Sequence, residues 1–139
     1  MRKNQRTSQW AYFRIIGKSH LDFADIEHNL LITPDRKIKK GEKYKIVTAE
    51  NDSLIYETTL NEDEDIYEAI RRKAREFLIY KDYLAEISKK YLICLTISIQ
   101  SEFAEVCFEL PPDIVKLLAS LGISIEFSVF SWGGVIGDG

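Results

Sequence analysis

The sequence predicts an α+β domain in which an antiparallel or mixed sheet carries about three helices on one face. Runs of β-type residues alternate with segments of helical periodicity, in the order β-α-β-β-α-β-β-α-β. The chain has 139 residues, the size of one ordinary domain. Its composition, 45% hydrophobic and 29% charged, excludes a disordered chain, a collagen and a coiled coil.

The first two elements are predicted from the aromatic and β-branched run at 10–16 and the apolar spacing at 22–31. Residues 10–16 form a strand that Gly17 stops. Residues 22–31 form a helix with Asp22 as its N-cap. Pro34 ends this helix, because the residue before a proline is pushed out of the α region.

A polar, basic loop at 35–43 leads into two short β-type runs. Residues 44–48 and 54–60 are both rich in strand-forming side chains, and Asn51 and Asp52 between them supply turn chemistry. The pattern predicts a β-hairpin here.

The next helix is predicted at 66–78, and a shorter helical turn at 81–89 follows it. Apolar residues recur at helical spacing along the first: Ile66, Ala69, Ile70, Ala74, Phe77 and Leu78. Five acidic or amide residues, 61–65, stand at its N-terminus. Capping and the helix dipole explain this run, and we favour that interpretation over a metal site.

The last third shows the clearest alternation. Residues 93–99 and 104–110 both alternate apolar and polar side chains, which predicts an antiparallel hairpin with one buried face. A helix that Gly122 closes at its C′ position follows, and 123–129 alternate again as a final strand. This stretch is ferredoxin-like in part.

We therefore predict a disordered basic tail at 1–9, a single α+β domain at 10–132 and a flexible glycine-rich tail at 133–139. Charge is distributed unevenly. Residues 1–45 hold 11 lysines and arginines against 5 acidic residues, a net charge of +6, whereas residues 46–139 carry −9. The chain has one basic and one acidic region, unless the two halves interleave in space.

No catalytic constellation stands out. The two histidines, His20 and His28, have no cysteine or GxSxG serine near them in sequence, and no phosphate-binding loop motif occurs. We expect no enzyme activity, no cofactor and no metal site. No membrane-spanning or secretory segment is recognised, so the expected location is the cytoplasm, where both cysteines would stay reduced.

The basic loop is the best candidate for a nucleic-acid interface. Its cationic residues are Arg36, Lys37, Lys39, Lys40 and Lys43. With Trp10 and Tyr12 they could form a cationic patch that carries aromatic side chains. The acidic total and the isoelectric point near 5.5 favour a solvated loop, so nucleic acid is an unfavoured partner.

Carboxylates on the last predicted strands suggest an acidic surface in addition to the basic loop. Glu105 and Glu109 share a face of their predicted strand, and Glu126 alternates in the same sense on the final one. Cys107 would lie on the same face. Solubility and protection of a sheet edge explain such a row, and so does a docking surface for a basic protein.

Four short motifs in order carry a resemblance over most of the chain: Phe13-x-Ile15-x-Gly17, Leu30-x-Ile32-x-Pro34, Lys40-Gly41-Glu42 and Leu118-Ala119-x-Leu121-Gly122. The sequence resembles the bacterial family catalogued as domain of unknown function 4279. It departs from that pattern at Tyr44, where a tryptophan is frequent. The resemblance implies a small intracellular α+β domain with no established catalytic residues. In size and setting such domains are similar to the immunity proteins that accompany bacterial polymorphic toxins.

The hypothesis that follows is a protein-binding domain of immunity type, which occludes a cognate toxin without catalysis. Glu105, Glu109, Glu126 and Cys107 are its candidate binding residues. The alternatives are a nucleic-acid-binding module that uses the 36–45 loop, and an uncharacterised domain of a bacterial stress or regulatory protein. The sequence leaves the oligomeric state open.

Overall fold

A computed structural model describes residues 7–101 and 107–131 of the chain. The described strands are β1 (Thr7–Gly17), β2 (Arg36–Ile38), β3 (Lys43–Tyr44), β4 (Val47–Thr48), β5 (Asp52–Glu57), β6 (Leu92–Ser101) and β7 (Ser124–Ser131). The described helices are α1 (Phe23–Asn29), α2 (Ile66–Leu78), α3 (Lys81–Ile87) and α4 (Pro112–Ser120).

Five strands form one mixed sheet in the order β2-β5-β1-β6-β7. All neighbours are antiparallel except β6 and β7, which run parallel. The four described helices contribute to one core against one face of this sheet, so the predicted α+β class and the one-sided helix layer are confirmed. β3 and β4 pair only with each other, as a second, two-stranded sheet.

The core lies between the sheet and the helices and is centred on aromatic side chains. Alternate residues of β1 enter it, among them Phe13 and Ile15. The ring of Phe77 on α2 lies 5.0 Å from that of Phe13 and 5.3 Å from that of Tyr56 on β5. Gly17 ends β1 where any side chain would collide with the backbone carbonyl of His20.

Two helix ends follow the predicted chemistry. The side chain of Asp65 accepts a hydrogen bond from the backbone N–H of Glu68, and the Glu68 side chain accepts one from the backbone N–H of Asp65, which makes a capping box. In the same acidic run, Glu64 pairs with Arg72 at 3.0 Å. At the end of α4, Gly122 has a φ of +69° and the N–H of Ile123 reaches back to the carbonyl of Leu118.

The predicted hairpin of 93–99 with 104–110 is not formed. β6 pairs with β1 along Leu92–Ser101 and with β7 along Cys94–Ser101, so both of its edges are occupied and none is left for a third strand. Residues 107–110 have no strand structure, and 102–106 lie outside the described residues. Because α4 crosses over between β6 and β7, these strands are adjacent and parallel, and the split ferredoxin-like arrangement is absent from the described strands.

The predicted hairpin of 44–48 with 54–60 is also wrong. β5 lies between β1 and β2, while β3 and β4 fold tightly on each other through Lys45, whose φ is +56°. The loop expected at 35–43 contains a real edge strand, β2.

The chain ends differ from the prediction at one boundary. β1 begins at Thr7, so residues 7–9 of the predicted tail pair with β6. Residues 1–6 and the glycine-rich tail at 133–139 lie outside the described residues. No helix in the described ranges is long and apolar enough to cross a membrane.

Candidate functional site

The face of the large sheet opposite the helices carries polar, aromatic and aliphatic side chains, and we call it the open face. Successive side chains of a strand point to opposite sides, so β1 places Phe13 in the core and its neighbours Tyr12 and Arg14 on the open face. The strand register sets rows across this face. One row contains Arg36, Ile55, Arg14, Cys94 and Ser124.

Arg14 lies near the centre of the open face, where Glu126 of β7 is its ion-pair partner. Its Nη2 donates to Oε1 of Glu126 at 2.9 Å, and the hydroxyl of Thr96 donates to the same oxygen at 3.0 Å. Its guanidinium carbon lies 5.9 Å from the ring centre of Tyr12. The Nε of Arg14 is buried and has no hydrogen-bond acceptor among the described residues. The side chain as a whole is 25% exposed.

Two clefts adjoin on this face and share lining residues, so they form one trough above β5. The first, about 420 Å³, lies towards the small sheet, and the second, about 280 Å³, lies towards Trp10. Both are lined by Arg14, Arg36, Ile38 and Ser53. Trp10, 40% exposed, and Tyr12 line the second.

The segment 39–50, which we call the arm, borders the first cleft. Backbone hydrogen bonds between Gly41 and Ala49 and between Ala49 and Glu42 extend the pairing of β3 and β4 towards its base. At its tip, Ile46 is 98% exposed.

Asp52 fixes the base of the arm. Its carboxylate accepts hydrogen bonds from the backbone N–H of Lys40 at 2.7 Å and of Leu21 at 2.8 Å. The hydrogen bond from Lys40 is the largest cause that holds the pKa of Asp52 below its usual range. The side chain is buried and charged, and its two hydrogen bonds connect the start of β5 to the arm and to the segment before α1.

The residues of the predicted basic patch do not share one surface. Arg36 lines the trough, whereas Lys37 lies on the helix side, where its ammonium is 2.7 Å from Glu27 and 5.4 Å from the ring centre of Phe23. A shallower depression of about 610 Å³ lies beside this ion pair. Lys39 and Lys40 are exposed at the base of the arm, and Lys43 lines the first cleft. Strand alternation in β2 therefore splits the patch.

The predicted acidic face is not assembled by the described residues. Glu126 lies on the open face, but Arg14 already pairs with it. Glu109 follows Phe108, whose ring packs against Tyr67 of α2, and the carbonyl of Glu109 accepts a hydrogen bond from the Tyr67 hydroxyl. This contact places Glu109 beside the helix layer.

The other two residues of that prediction are separated as well. Glu105 lies outside the described residues. Cys107 is exposed in a segment without regular structure, and Cys94 is buried on the open face of β6; neither forms a disulfide. The two cysteines are not cross-strand neighbours, because Cys94 lies opposite Arg14 and Ser124.

Both histidines lie at the surface around α1, and the trough contains neither of them. Within the described ranges, no group of three or more His, Cys, Asp or Glu side chains is arranged to hold a metal ion.

Sequence patterns did not predict the central position of Arg14 on the open face, nor that Ile38 and Ile55 line the trough. Arg14 had a usable signal, since it is a charged residue inside a strand whose alternate residues are all apolar. Ile38 and Ile55 carried no such signal, because an isoleucine in a strand is as compatible with the core as with an open face.

A family model described as Domain of unknown function (DUF4279) matches residues 5–132, and the chain belongs to this family. The match spans both the open face and the helix layer. No curated protein and no solved structure matches the chain.

Proposed function

We propose that this member of the DUF4279 family is a protein-binding domain of immunity type, which neutralises a cognate toxin by covering it and performs no chemistry of its own. The docking surface is the open face of the sheet. The observation that carries the proposal is the exposed Trp10 and the partly exposed Tyr12 beside Arg14, on a face that no described helix covers.

Tryptophan, tyrosine and arginine are the residue types that dominate binding energy at protein interfaces. All three come from β1, which pairs with β6 from Thr7 to Ile16 and with β5 from Tyr12 onwards. A central strand presents its side chains with little freedom to move, so their ordering cost on binding is low.

Charge on the open face is close to balanced, which changes the expected mode of recognition. Arg14 and Arg36 stand against Glu57 and Glu126. An acidic face that attracts a basic toxin is therefore not the basis of binding. Burial of the aromatic side chains supplies the affinity, and the ion pairs set the orientation of the partner.

The proposal expects a toxin gene immediately upstream, and the test is co-expression of its toxin domain with the full chain, read as neutralisation. Trp10→Ala with Tyr12→Ala should abolish protection of growth and weaken binding by about 1,000-fold, because each interface anchor contributes about 2 kcal/mol or more. The matched control is Ile79→Ala with Val115→Ala, two exposed apolar residues on the helix layer, which should protect like the wild type.

Full protection by the Trp10/Tyr12 double variant, or the absence of any toxin gene beside this one, would contradict the proposal. Nucleic-acid binding is the second candidate, and the lysines on the arm favour it. In that case a salt-sensitive shift of duplex DNA or RNA should disappear with Lys39→Glu and Lys40→Glu.

A further inference from the structure

The two edges of the five-stranded sheet differ in how well they are protected against pairing with another strand. β2 is three residues long, and two of these, Arg36 and Lys37, are cationic. Short length and charged side chains are common means of keeping an edge strand from pairing. β7, at the opposite edge, is eight residues long, and among the described strands it pairs with β6 alone.

β7 lacks the features that protect β2. It contains no lysine, arginine or proline, and its register with β6 continues without a bulge from Ser124 to Ser131. Its single charged residue, Glu126, already accepts hydrogen bonds from Arg14 and Thr96 over the open face. The strand therefore presents a long, regular edge to which the backbone of another strand can bind.

The helix-side residues of β7 add apolar surface to this edge. Phe127 lies opposite the buried Ile97 of β6, and its ring centre is 5.8 Å from that of Phe108. Even so, Phe127 is 49% exposed, and Val129, the next residue on the same side, is 53% exposed. A strand added to β7 would remove part of this apolar area from water.

We propose that β7 pairs antiparallel with β7 of a second copy of this chain, so that two sheets become one continuous sheet across a two-fold axis. The interface of a symmetric dimer must be complementary to itself. An edge strand meets this condition, because a strand and its two-fold copy run in opposite directions and form an antiparallel ladder. The dimer occupies the β7 edge of both copies, and the protected β2 edges limit further growth.

The side chains of β7 determine where the axis passes. In a continuous sheet opposed residues share a face, so the axis must pass through a residue that lies opposite its own copy. Glu126 on the axis would oppose two carboxylates, which is unfavourable. Ser128 on the axis would place the apolar Ile125 opposite the polar Ser131 of the second copy.

Phe127 on the axis gives apolar pairs along the helix side. Its ring lies opposite its own copy, and Ile125 lies opposite Val129 of the second copy. Aromatic and β-branched side chains in such pairs stabilise a sheet. On the open face, Glu126 lies opposite Ser128 of the second copy, so no like charges meet. We therefore place Phe127 on the axis.

This dimer is independent of the proposed toxin partner. The second copy extends the sheet at its edge and does not cover the open face, so Trp10 and Tyr12 stay accessible. Neutralisation does not depend on the dimer, and a monomeric chain would leave the proposed function standing.

The experiment is sedimentation equilibrium of the full chain from about 1 μM to about 200 μM. The mass should rise from 16.1 kDa to twice this value, with a Kd of about 50 μM or tighter. Phe127→Lys places two ammonium groups opposite each other at the axis and should weaken the dimer by about 100-fold or more. The matched control is Val115→Lys, an apolar residue of α4 that is 42% exposed, and its Kd should change less than about twofold.

Ser128 tests the register without changing the apolar pairs. Its side chain is exposed, so Ser128→Glu should stay folded, as circular dichroism would show, and should weaken the dimer by about tenfold or more, because it opposes Glu126 of the second copy. Ser128→Lys should dimerise at least as tightly as the wild type. A wild type that stays monomeric, species larger than a dimer, equal losses in Phe127→Lys and Val115→Lys, or equal effects of the two Ser128 variants would overturn the proposal.

Discussion

The two faces of the five-stranded sheet are made by alternate residues of the same strands, and they differ in burial and in polarity. On the helix side, Phe13 and Ile15 of β1 are almost completely buried and contact other apolar side chains. On the open side, Trp10 and Arg14 of the same strand are partly exposed, and Arg14 is held by polar partners.

The difference shows how one strand separates stability from recognition. Burial of large apolar side chains stabilises the fold in proportion to the area removed from water, so it concentrates on the helix side. Exposed ion pairs and hydrogen bonds add little stability but hold side chains in place. The exposed positions of the open face can therefore change without endangering the core.

The largest expected effect tests this separation on neighbouring residues of β1. Phe13→Ala should lower the free energy of unfolding by about 3–5 kcal/mol, because it leaves a cavity against Phe77. Tyr12→Ala, one residue earlier on the open face, should cost less than about 1 kcal/mol. Urea unfolding of both variants measures the contrast, and similar losses would show that the two faces are not distinct.

An intermediate effect is expected at Asp52, which links the helix side to the arm. Asp52→Ala removes the acceptor of two backbone N–H groups and should cost about 2–3 kcal/mol. Its pKa is lowered in the folded protein, so its charge stabilises the fold above the unfolded pKa. That contribution is lost as the pH falls through the folded pKa.

The pH dependence provides the control for Asp52. Below the usual carboxylate range, the stabilities of the wild type and of Asp52→Ala should converge, and they should separate as the pH rises towards neutrality. Chemical unfolding at a series of pH values measures this. A difference that stays constant with pH would mean that the carboxylate charge contributes nothing.

The smallest effect is expected within the open face, at Thr96. Thr96→Val removes one hydrogen bond to Glu126, and the ion pair between Glu126 and Arg14 remains. The free energy of unfolding should therefore fall by about 0.5–1.5 kcal/mol. The loss should shrink when Glu126→Gln is already present, as a double-mutant cycle would show. A loss as large as that of Phe13→Ala would make this polar cluster part of the structural core.

Local patterns predicted the elements that depend on local rules. The apolar stripe of α2 and the glycine end of α4 were both correct, because helix periodicity and the positive φ at Gly122 are properties of short segments. The alternation in 93–99 and 123–129 was also read correctly as strand structure.

Strand pairing was the part that local patterns could not predict. The alternation at 104–110 is strand-like, yet β6 pairs with β1 and β7, and its Cys94 lies opposite Arg14. Register between strands so far apart in sequence is set by the packing of the whole chain. The same limit applies to the site, since the basic patch and the acidic face were both inferred from neighbours in sequence.

The sequence by itself determined which residues of a strand share a side, because that follows from the two-residue period of an extended backbone. In any strand that contains them, this period puts Tyr12 on the side of Arg14 and opposite to Phe13. Only the tertiary structure decided which side the helices cover and which cation neutralises Glu126. The Arg14–Glu126 pair joins residues 112 positions apart, and such a contact exists only once β1, β6 and β7 lie side by side.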